Sequence, residues 1–98
     1  MNRELILGPE AELEIVAARD WYDQRRHGLG ADFVGAVEAT LAAIQQDPFQ
    51  HQAIWGQFRR ARLRRFPHGL IYIATDRQVI VVACFHGRRN PKVWHERT

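Results

Sequence analysis

Residues 58–86 decide the fold of this 98-residue chain and read FRRARLRRFPHGLIYIATDRQVIVVACFH. Within Arg59–Arg65, apolar and cationic side chains alternate, which indicates a strand with one buried face and one cationic face. Gly69–Thr75 is expected to form a second strand. A tight turn then leads to Val79–Phe85, which is almost wholly apolar, as in a strand buried on both faces. These residues therefore predict an antiparallel meander.

The residues before the meander predict a short strand and two helices. Glu4–Leu7 is an apolar run typical of a strand, and Pro9 suits the first position of a helix, where a backbone N–H would be unpaired. The first helix is expected to end near Arg26 and the second to span Ala31–Gln46, with a glycine-containing turn between them. Two helices joined in this way form an antiparallel αα-hairpin.

The first helix carries two adjoining apolar stripes. One stripe consists of Leu13, Val16, Ala17 and Trp21, and the other of Ala11, Ile15, Ala18 and Tyr22. An apolar arc this wide predicts that the helix is covered on more than one side.

Together these elements predict an α+β fold in one domain, since the length leaves no room for a second. A strand (residues 1–8) is followed by the helical hairpin (9–47) and a three-stranded meander (58–86). The hairpin is expected to pack on one face of a mostly antiparallel, four-stranded sheet. Residues 48–57 are expected to form a loop, and residues 87–98 a tail.

The two halves of the chain carry opposite charge. Residues 1–56 contain four Arg against nine Asp or Glu, a net charge of −5. Residues 57–98 contain nine Arg and one Lys against Asp76 and Glu96, a net charge of +8. This cationic half suggests an anionic partner such as nucleic acid or an acidic peptide, and a solvated basic face is the alternative.

Three arginines share the outer face of the first meander strand. Arg60, Arg62 and Arg64 recur at ~6.6 Å steps, given the rise of a strand. Such a row fits a nucleic-acid backbone or an acidic helix lying across the sheet, and a solvated edge is the alternative. Further candidates for binding a partner, near the end of the chain, are Arg88, Arg89 and Trp94. The tail tryptophan either docks on the domain or serves as an exposed anchor.

Metal, cofactor and membrane functions are not expected. The histidines are scattered without an HxxxH or CxxC pair, and the chain has no glycine-rich phosphate loop. Cys84 lies in the most apolar strand, so it is expected to be a small core residue. A single cysteine also fits a reducing compartment, the cytoplasm. No apolar run approaches the ~18–20 residues that a membrane-spanning helix needs.

Several motifs, in this order and over nearly the whole chain, resemble the RelE/ParE superfamily of bacterial type II toxin–antitoxin toxins. They are Leu7-Gly8-Pro9-Glu10-Ala11-Glu12, Asp20-Trp21-Tyr22, Gly28-Leu29-Gly30, Arg59-Arg60-Ala61, Leu63-Arg64-Arg65-Phe66-Pro67, Ile71-Tyr72 and His86-Gly87-Arg88-Arg89-Asn90-Pro91 with Trp94. The resemblance implies a helical hairpin on an antiparallel sheet, in agreement with the pattern of the residues.

The superfamily has two activities, and individual residues of the motifs help to distinguish them. RelE-like members cut messenger RNA on the ribosome, with basic residues at the positions of Arg60, Arg62 and Arg88. They place a further arginine where this chain has Gly69 and a tyrosine where it has Trp94. Because an indole N–H does not exchange a proton near neutral pH, the pattern favours ParE-like members. The resemblance to them implies a toxin that poisons DNA gyrase, trapping cleaved DNA, and cuts nothing itself.

The ParE-like resemblance implies a partner, which is a cognate ParD-like antitoxin encoded in an adjacent gene. Its C-terminal segment folds over the toxin, and operator DNA is bound only through the antitoxin. The alternative is a ribosome-dependent endoribonuclease in which imidazole replaces the missing groups. The residues for that chemistry would be Arg62, His68, His86 and Arg88.

Overall fold

The computed structural model describes residues 3–87 and Arg97. In chain order, its helices and strands are β1 (Glu4–Leu7), α1 (Pro9–Arg25), α2 (Leu29–Gln46), β2 (Ala53–Trp55), β3 (Phe58–Arg62), β4 (His68–Ala74) and β5 (Gln78–His86). The strands form a sheet in the order β1-β5-β4-β3-β2, in which β1 and β5 are parallel and the other neighbours antiparallel. Both helices pack on the same face, which confirms the predicted α+β class. Neither described helix is long and apolar enough to cross a membrane.

The sheet has five strands rather than the expected four, because a short edge strand lies in the segment predicted as a loop. β2 pairs with β3 through Ala53↔Arg59 and, after a register shift, through Trp55↔Phe58. All side chains of β2 are exposed. Its residues therefore lack the alternation of buried and exposed positions from which a strand is predicted.

The turn of the helical hairpin depends on two glycines and one aspartate. Gly28 adopts a φ of 89°, in the left-handed region that glycine occupies readily. Oδ1 of Asp23 accepts the backbone N–H of Gly28 at 3.0 Å and that of Gly30 at 3.2 Å, which satisfies donors at the start of α2. A Cβ atom at Gly30 would lie 2.7 Å from the carbonyl oxygen of Arg19, so the helices approach here more closely than any side chain allows.

One apolar stripe of α1 faces the core, and the other faces solvent. The stripe in the core consists of Ala11, Ile15, Ala18 and Tyr22. In the other stripe, Leu13 is 70% exposed and Trp21 is 50% exposed. The expectation that α1 is covered on more than one side is therefore wrong, because the sheet and α2 together cover only one arc of this helix.

The sheet carries an apolar layer on each of its faces, so β5 is buried on both sides as predicted. On the helix side, Tyr72 is fully buried, and its hydroxyl donates to the carbonyl oxygen of Pro48 at 2.5 Å. Cys84 lies in the same layer, where burial, followed by the charge of Glu14, raises the pKa of its thiol to about 12. This cysteine is thus a core residue, as expected. The second layer consists of Phe58, Ile71, Ile73, Val82, Ala83 and Phe85.

An ion pair between Glu14 and Arg97 lies along the outer edge of β5 and binds its backbone groups. β1 runs beside β5 only as far as Val81. Beyond that point, Oε1 of Glu14 accepts the backbone N–H of Cys84 at 3.0 Å and Nη1 of Arg97 at 3.0 Å. The same guanidinium donates to the carbonyl oxygen of Val82 at 3.0 Å. Polar backbone groups on this outer edge therefore have partners.

Candidate binding surface

Two arginines of β3 lie on the sheet face opposite the helices, and a third follows the strand. Ala61 and Leu63 are buried in the helix-side core, so the alternating Arg60 and Arg62 lie on the other face. β3 ends at Arg62 rather than at the expected Arg65, so Arg64 lies in the bend that follows. Arg62 and Arg64 are exposed, and Arg60 is half-buried. We call these three residues the arginine row. The other predicted binding residues, Arg88, Arg89 and Trp94, lie outside the described residues.

The arginine row lies beside Gly69 of β4. In the β3–β4 register, Arg62 pairs with Gly69 and Arg60 pairs with Ile71. A Cβ atom at Gly69 would come within 2.9 Å of Nε and 3.2 Å of Cγ of Arg60. The side chain of Arg60 therefore occupies the space above the glycine, the position at which RelE-like members carry an arginine of their own.

The face that holds the arginine row lacks groups for proton transfer among the described residues of β3, β4 and the segment 80–85. Apart from the arginines and Gly69, its side chains are apolar and comprise Phe58, Ile71, Ile73, Ile80, Val82, Ala83 and Phe85. The titratable groups His68, Tyr72 and Cys84 belong to the helix side. In β3, β4 and residues 80–85, this face thus offers positive charge and hydrogen-bond donors but no general acid or base.

The two histidines of the ribonuclease alternative also lie on the helix side, in a pocket of about 360 Å³. Its lining residues are Ala18, Trp21, Tyr22, Pro67, His68 and His86. The hydroxyl of Tyr22 lies 3.4 Å from Nδ1 of His68, and burial, followed by the charge of His86, lowers the pKa of His68. The sheet separates both imidazoles from Arg62, so the structure does not bring these three predicted catalytic residues together.

Three exposed apolar residues lie beside β3, and no sequence motif identifies them as a binding site. Phe49, Ile54 and Trp55 are all exposed. The guanidinium of Arg59 lies 5.1 Å from the centroid of the Phe49 ring and donates to the carbonyl oxygen of His51 at 2.6 Å, which fixes this segment against β3. In the sequence this segment shows only two aromatic residues, Phe49 and Trp55, without periodicity, which indicates a loop.

Fold and surface together define a small α+β protein with a helical hairpin on one sheet face and a row of arginines on the other. Residues 5–91 match the family described as the ParE toxin of the type II toxin–antitoxin system parDE. Because this match covers most of the chain, the protein belongs to the ParE toxin family. The resemblance to ParE-like toxins is thereby confirmed.

The fold is shared with a solved structure, "Chromosomal ParDE TA system from P. aeruginosa". The two chains superpose with a TM-score of 0.77 at 14% sequence identity, over 88% of this chain and 97% of the other. At this identity the likeness establishes the fold. None of the curated proteins matches this chain.

Proposed function

We propose that this ParE-family toxin inhibits growth by poisoning DNA gyrase, so that cleaved DNA is trapped, and that a cognate antitoxin neutralises it. The observation that carries the proposal is the arginine row on a face whose side chains from β3, β4 and residues 80–85 include no general acid or base. Guanidinium groups bind anions and do not exchange protons near neutral pH. Such a face suits an inhibitor that binds its target rather than an enzyme that cuts RNA.

Arg62 and Arg64 are the accessible members of the arginine row. Both are exposed, and within residues 3–87 and Arg97 no hydrogen bond or ion pair engages either side chain. Within this part of the chain, their guanidinium groups are therefore available for bidentate contacts with carboxylates or phosphates. The same groups repel each other across the row, and an anionic partner would relieve this repulsion.

The antitoxin in this proposal is a ParD-like protein encoded beside the toxin gene, with a C-terminal segment that folds over the toxin. Exposed Phe49, Ile54 and Trp55, together with the two accessible arginines, favour a segment of mixed apolar and acidic residues. β2 is an edge strand, so an extended segment can pair with it. The antitoxin's own N-terminal domain would bind operator DNA, and the toxin would meet gyrase in the cytoplasm.

A supercoiling assay with purified gyrase and relaxed plasmid tests the target. We expect wild-type protein at micromolar excess to block supercoiling. The double variant Arg62→Glu/Arg64→Glu should lose most of this inhibition, because two attractive contacts become repulsive. Arg77→Glu reverses an exposed arginine between β4 and β5 and serves as the control that still inhibits. Full supercoiling in the presence of excess folded wild-type protein would contradict gyrase as the target.

A further inference from the structure

The outer face of α1 carries apolar side chains that no other described helix or strand covers. Leu13 is 70% exposed, Trp21 is 50% exposed and Val16 is 37% exposed. Leu13, Ala17 and Trp21 recur every four residues, so they line one side of the helix. We call these three residues the outer stripe. Single exposed apolar residues are ordinary, but a line of them along more than two helical turns indicates a surface that binds a partner.

The order of side chains in the outer stripe is self-complementary. Ala17 lies midway between Leu13 and Trp21, each of which is four residues, or about 6 Å, away along the helix axis. When a second α1 crosses antiparallel with the two Ala17 residues in contact, each Leu13 lies opposite Trp21 of the other copy. The small central side chain lets the helices approach closely, and a two-fold axis repeats each contact and closes the assembly.

A recess beside Trp21 adds shape complementarity to this arrangement. The pocket of about 360 Å³ described above is lined by Trp21 together with Ala18 and Pro67. It therefore opens next to the position that Leu13 of a second copy would take. Leu13 is also the most exposed of the large apolar side chains in the described part of the chain. A protruding leucine and an apolar recess on one helix are what an interface between identical copies requires.

The charges at the ends of α1 favour the same antiparallel arrangement. Glu10 lies in the first turn and Arg25 in the last. In an antiparallel pair centred on Ala17, the first turn of one helix lies opposite the last turn of the other. Glu10 of each copy is then within reach of Arg25 of the other, and the antiparallel helix dipoles also attract. Asp20, at the edge of the outer stripe, is already paired with Arg19 at 3.0 Å.

We propose that the outer stripe binds a second copy of this chain and forms a two-fold symmetric, antiparallel dimer. One pair of helices buries less area than the ~1,200–2,000 Å² of a standard interface, so we expect a reversible dimer with a Kd of roughly 10–100 µM. Arg60 and Arg62 lie on the sheet face opposite α1. Dimerisation through α1 therefore leaves them accessible in both copies, and the dimer presents two binding surfaces to a partner.

Sedimentation equilibrium of the full-length chain from about 5 µM to about 500 µM tests the proposal. We expect the average mass to rise with concentration toward twice that of the monomer. Ala17→Glu places two carboxylates beside the two-fold axis and should weaken the dimer at least about tenfold. The matched control, Ala39→Glu, makes the same substitution at an exposed alanine of α2 and should dimerise as wild type. Circular dichroism verifies that both variants are folded.

Disulfide formation tests the register of the two helices. Facing Cα atoms of closely packed helices lie within the ~4.4–6.8 Å that a disulfide spans. Ala17→Cys should therefore form an intermolecular disulfide under mild oxidation, and Ala39→Cys should do so far more slowly. The native thiol of Cys84 is buried and stays out of the reaction.

The proposal is overturned if the wild-type chain stays monomeric up to about 500 µM. It is equally overturned if folded Ala17→Glu dimerises as tightly as wild type, or if Ala17→Cys and Ala39→Cys cross-link at the same rate. A monomeric chain whose antitoxin binding is abolished by Leu13→Glu would assign the outer stripe to the antitoxin and overturn it as well. None of these results depends on the gyrase assay.

Discussion

A single glycine leaves room for one member of the arginine row, Arg60. Gly69 leaves open the space that Arg60 fills, because a Cβ atom there would meet Nε of Arg60 at 2.9 Å. In the sequence alone, Gly69 is notable only because RelE-like members carry an arginine at this position. The structure adds a physical reason for a glycine at this position. Arg60 of the neighbouring strand β3 already occupies the space that a side chain would need.

This contact predicts that Gly69→Ala destabilises the protein by about 1–3 kcal/mol, because the side chain of Arg60 must leave its present position. In an Arg60→Ala background the same substitution should cost less, since the obstructing atoms are gone. Urea unfolding of the two single variants and the double variant measures the coupling. Equal costs in both backgrounds would show that the two residues do not compete for this space.

His51 predicts a dependence of stability on pH. Burial, helped by Arg59 and opposed by Asp47, lowers the pKa of His51 below its ordinary value of 6.5. Its Nε2 atom is buried without a hydrogen-bond partner among the described residues, so folding favours the neutral ring. The stability that this ring contributes is complete above the unfolded pKa and is lost as the pH falls through the folded pKa.

We therefore expect the free energy of unfolding to fall between about pH 7.5 and about pH 5.5, and to fall less steeply in His51→Gln. His27→Gln, which changes an exposed histidine, should leave the slope unchanged. Denaturant titrations at several pH values provide the comparison. Parallel pH profiles for wild type and His51→Gln would contradict a neutral, buried His51.

At the scale of secondary structure, periodic segments are predictable from the sequence and unpatterned segments are not. The alternation along Arg59–Arg65 correctly predicts Ala61 and Leu63 in the core and Arg60 and Arg62 on the opposite face, although β3 itself ends at Arg62. β2 has only exposed side chains, so its pairing with β3 leaves no pattern in the sequence. In the sequence, the outer apolar stripe of α1 looks the same as the stripe in the core. An apolar side chain indicates a preference for burial, but it does not indicate whether another element of the fold covers it.

The same limit explains why the facing of His68 and His86 could not be predicted. Sequence motifs are read from spacing within one element, whereas these two histidines meet through the register of two strands. That register depends on the turn and on the shift between Ile71 and Tyr72. Strand order and register are tertiary properties, which a local sequence pattern does not determine.

The close approach of the two helices predicts opposite effects for two glycines of α2. Gly30→Ala should destabilise the protein by about 1–3 kcal/mol, because its Cβ would lie 2.7 Å from a backbone oxygen of Arg19. At Gly35 an added Cβ would meet no atom within 4 Å, so Gly35→Ala should stabilise α2 by up to about 0.5–1 kcal/mol. Thermal unfolding followed by circular dichroism measures both. Similar shifts in Tm would argue against a tight contact at Gly30.

The edge of β5 predicts a large effect for one carboxylate of α1. Glu14→Ala removes the acceptor for the N–H of Cys84 and for Arg97, so it should cost about 1–3 kcal/mol. Glu12→Ala, which removes an exposed carboxylate from the same helix, should change stability by less than about 0.5 kcal/mol. Urea unfolding compares the two variants. Equal, small effects would mean that the ion pair does not hold this edge.

At the scale of the whole molecule, the charge asymmetry of the sequence becomes a division between layers. Most acidic residues of the N-terminal half lie on the two helices, whereas the arginine row lies on the far side of the sheet. The titratable groups Tyr22, His68 and Cys84 lie between these layers. The arginine row and these three titratable groups thus belong to different layers of the described part of the chain.

The most direct measurement is made in cells that express the toxin without its antitoxin. Covalent gyrase–DNA complexes and cuts in translated messenger RNA are quantified in the same culture at the onset of growth arrest. We predict that gyrase-linked DNA breaks accumulate, that messenger RNA stays intact, and that Arg62→Glu/Arg64→Glu abolishes the breaks. Messenger RNA cut at the ribosomal A site, with no gyrase-linked DNA, would contradict inhibition of gyrase.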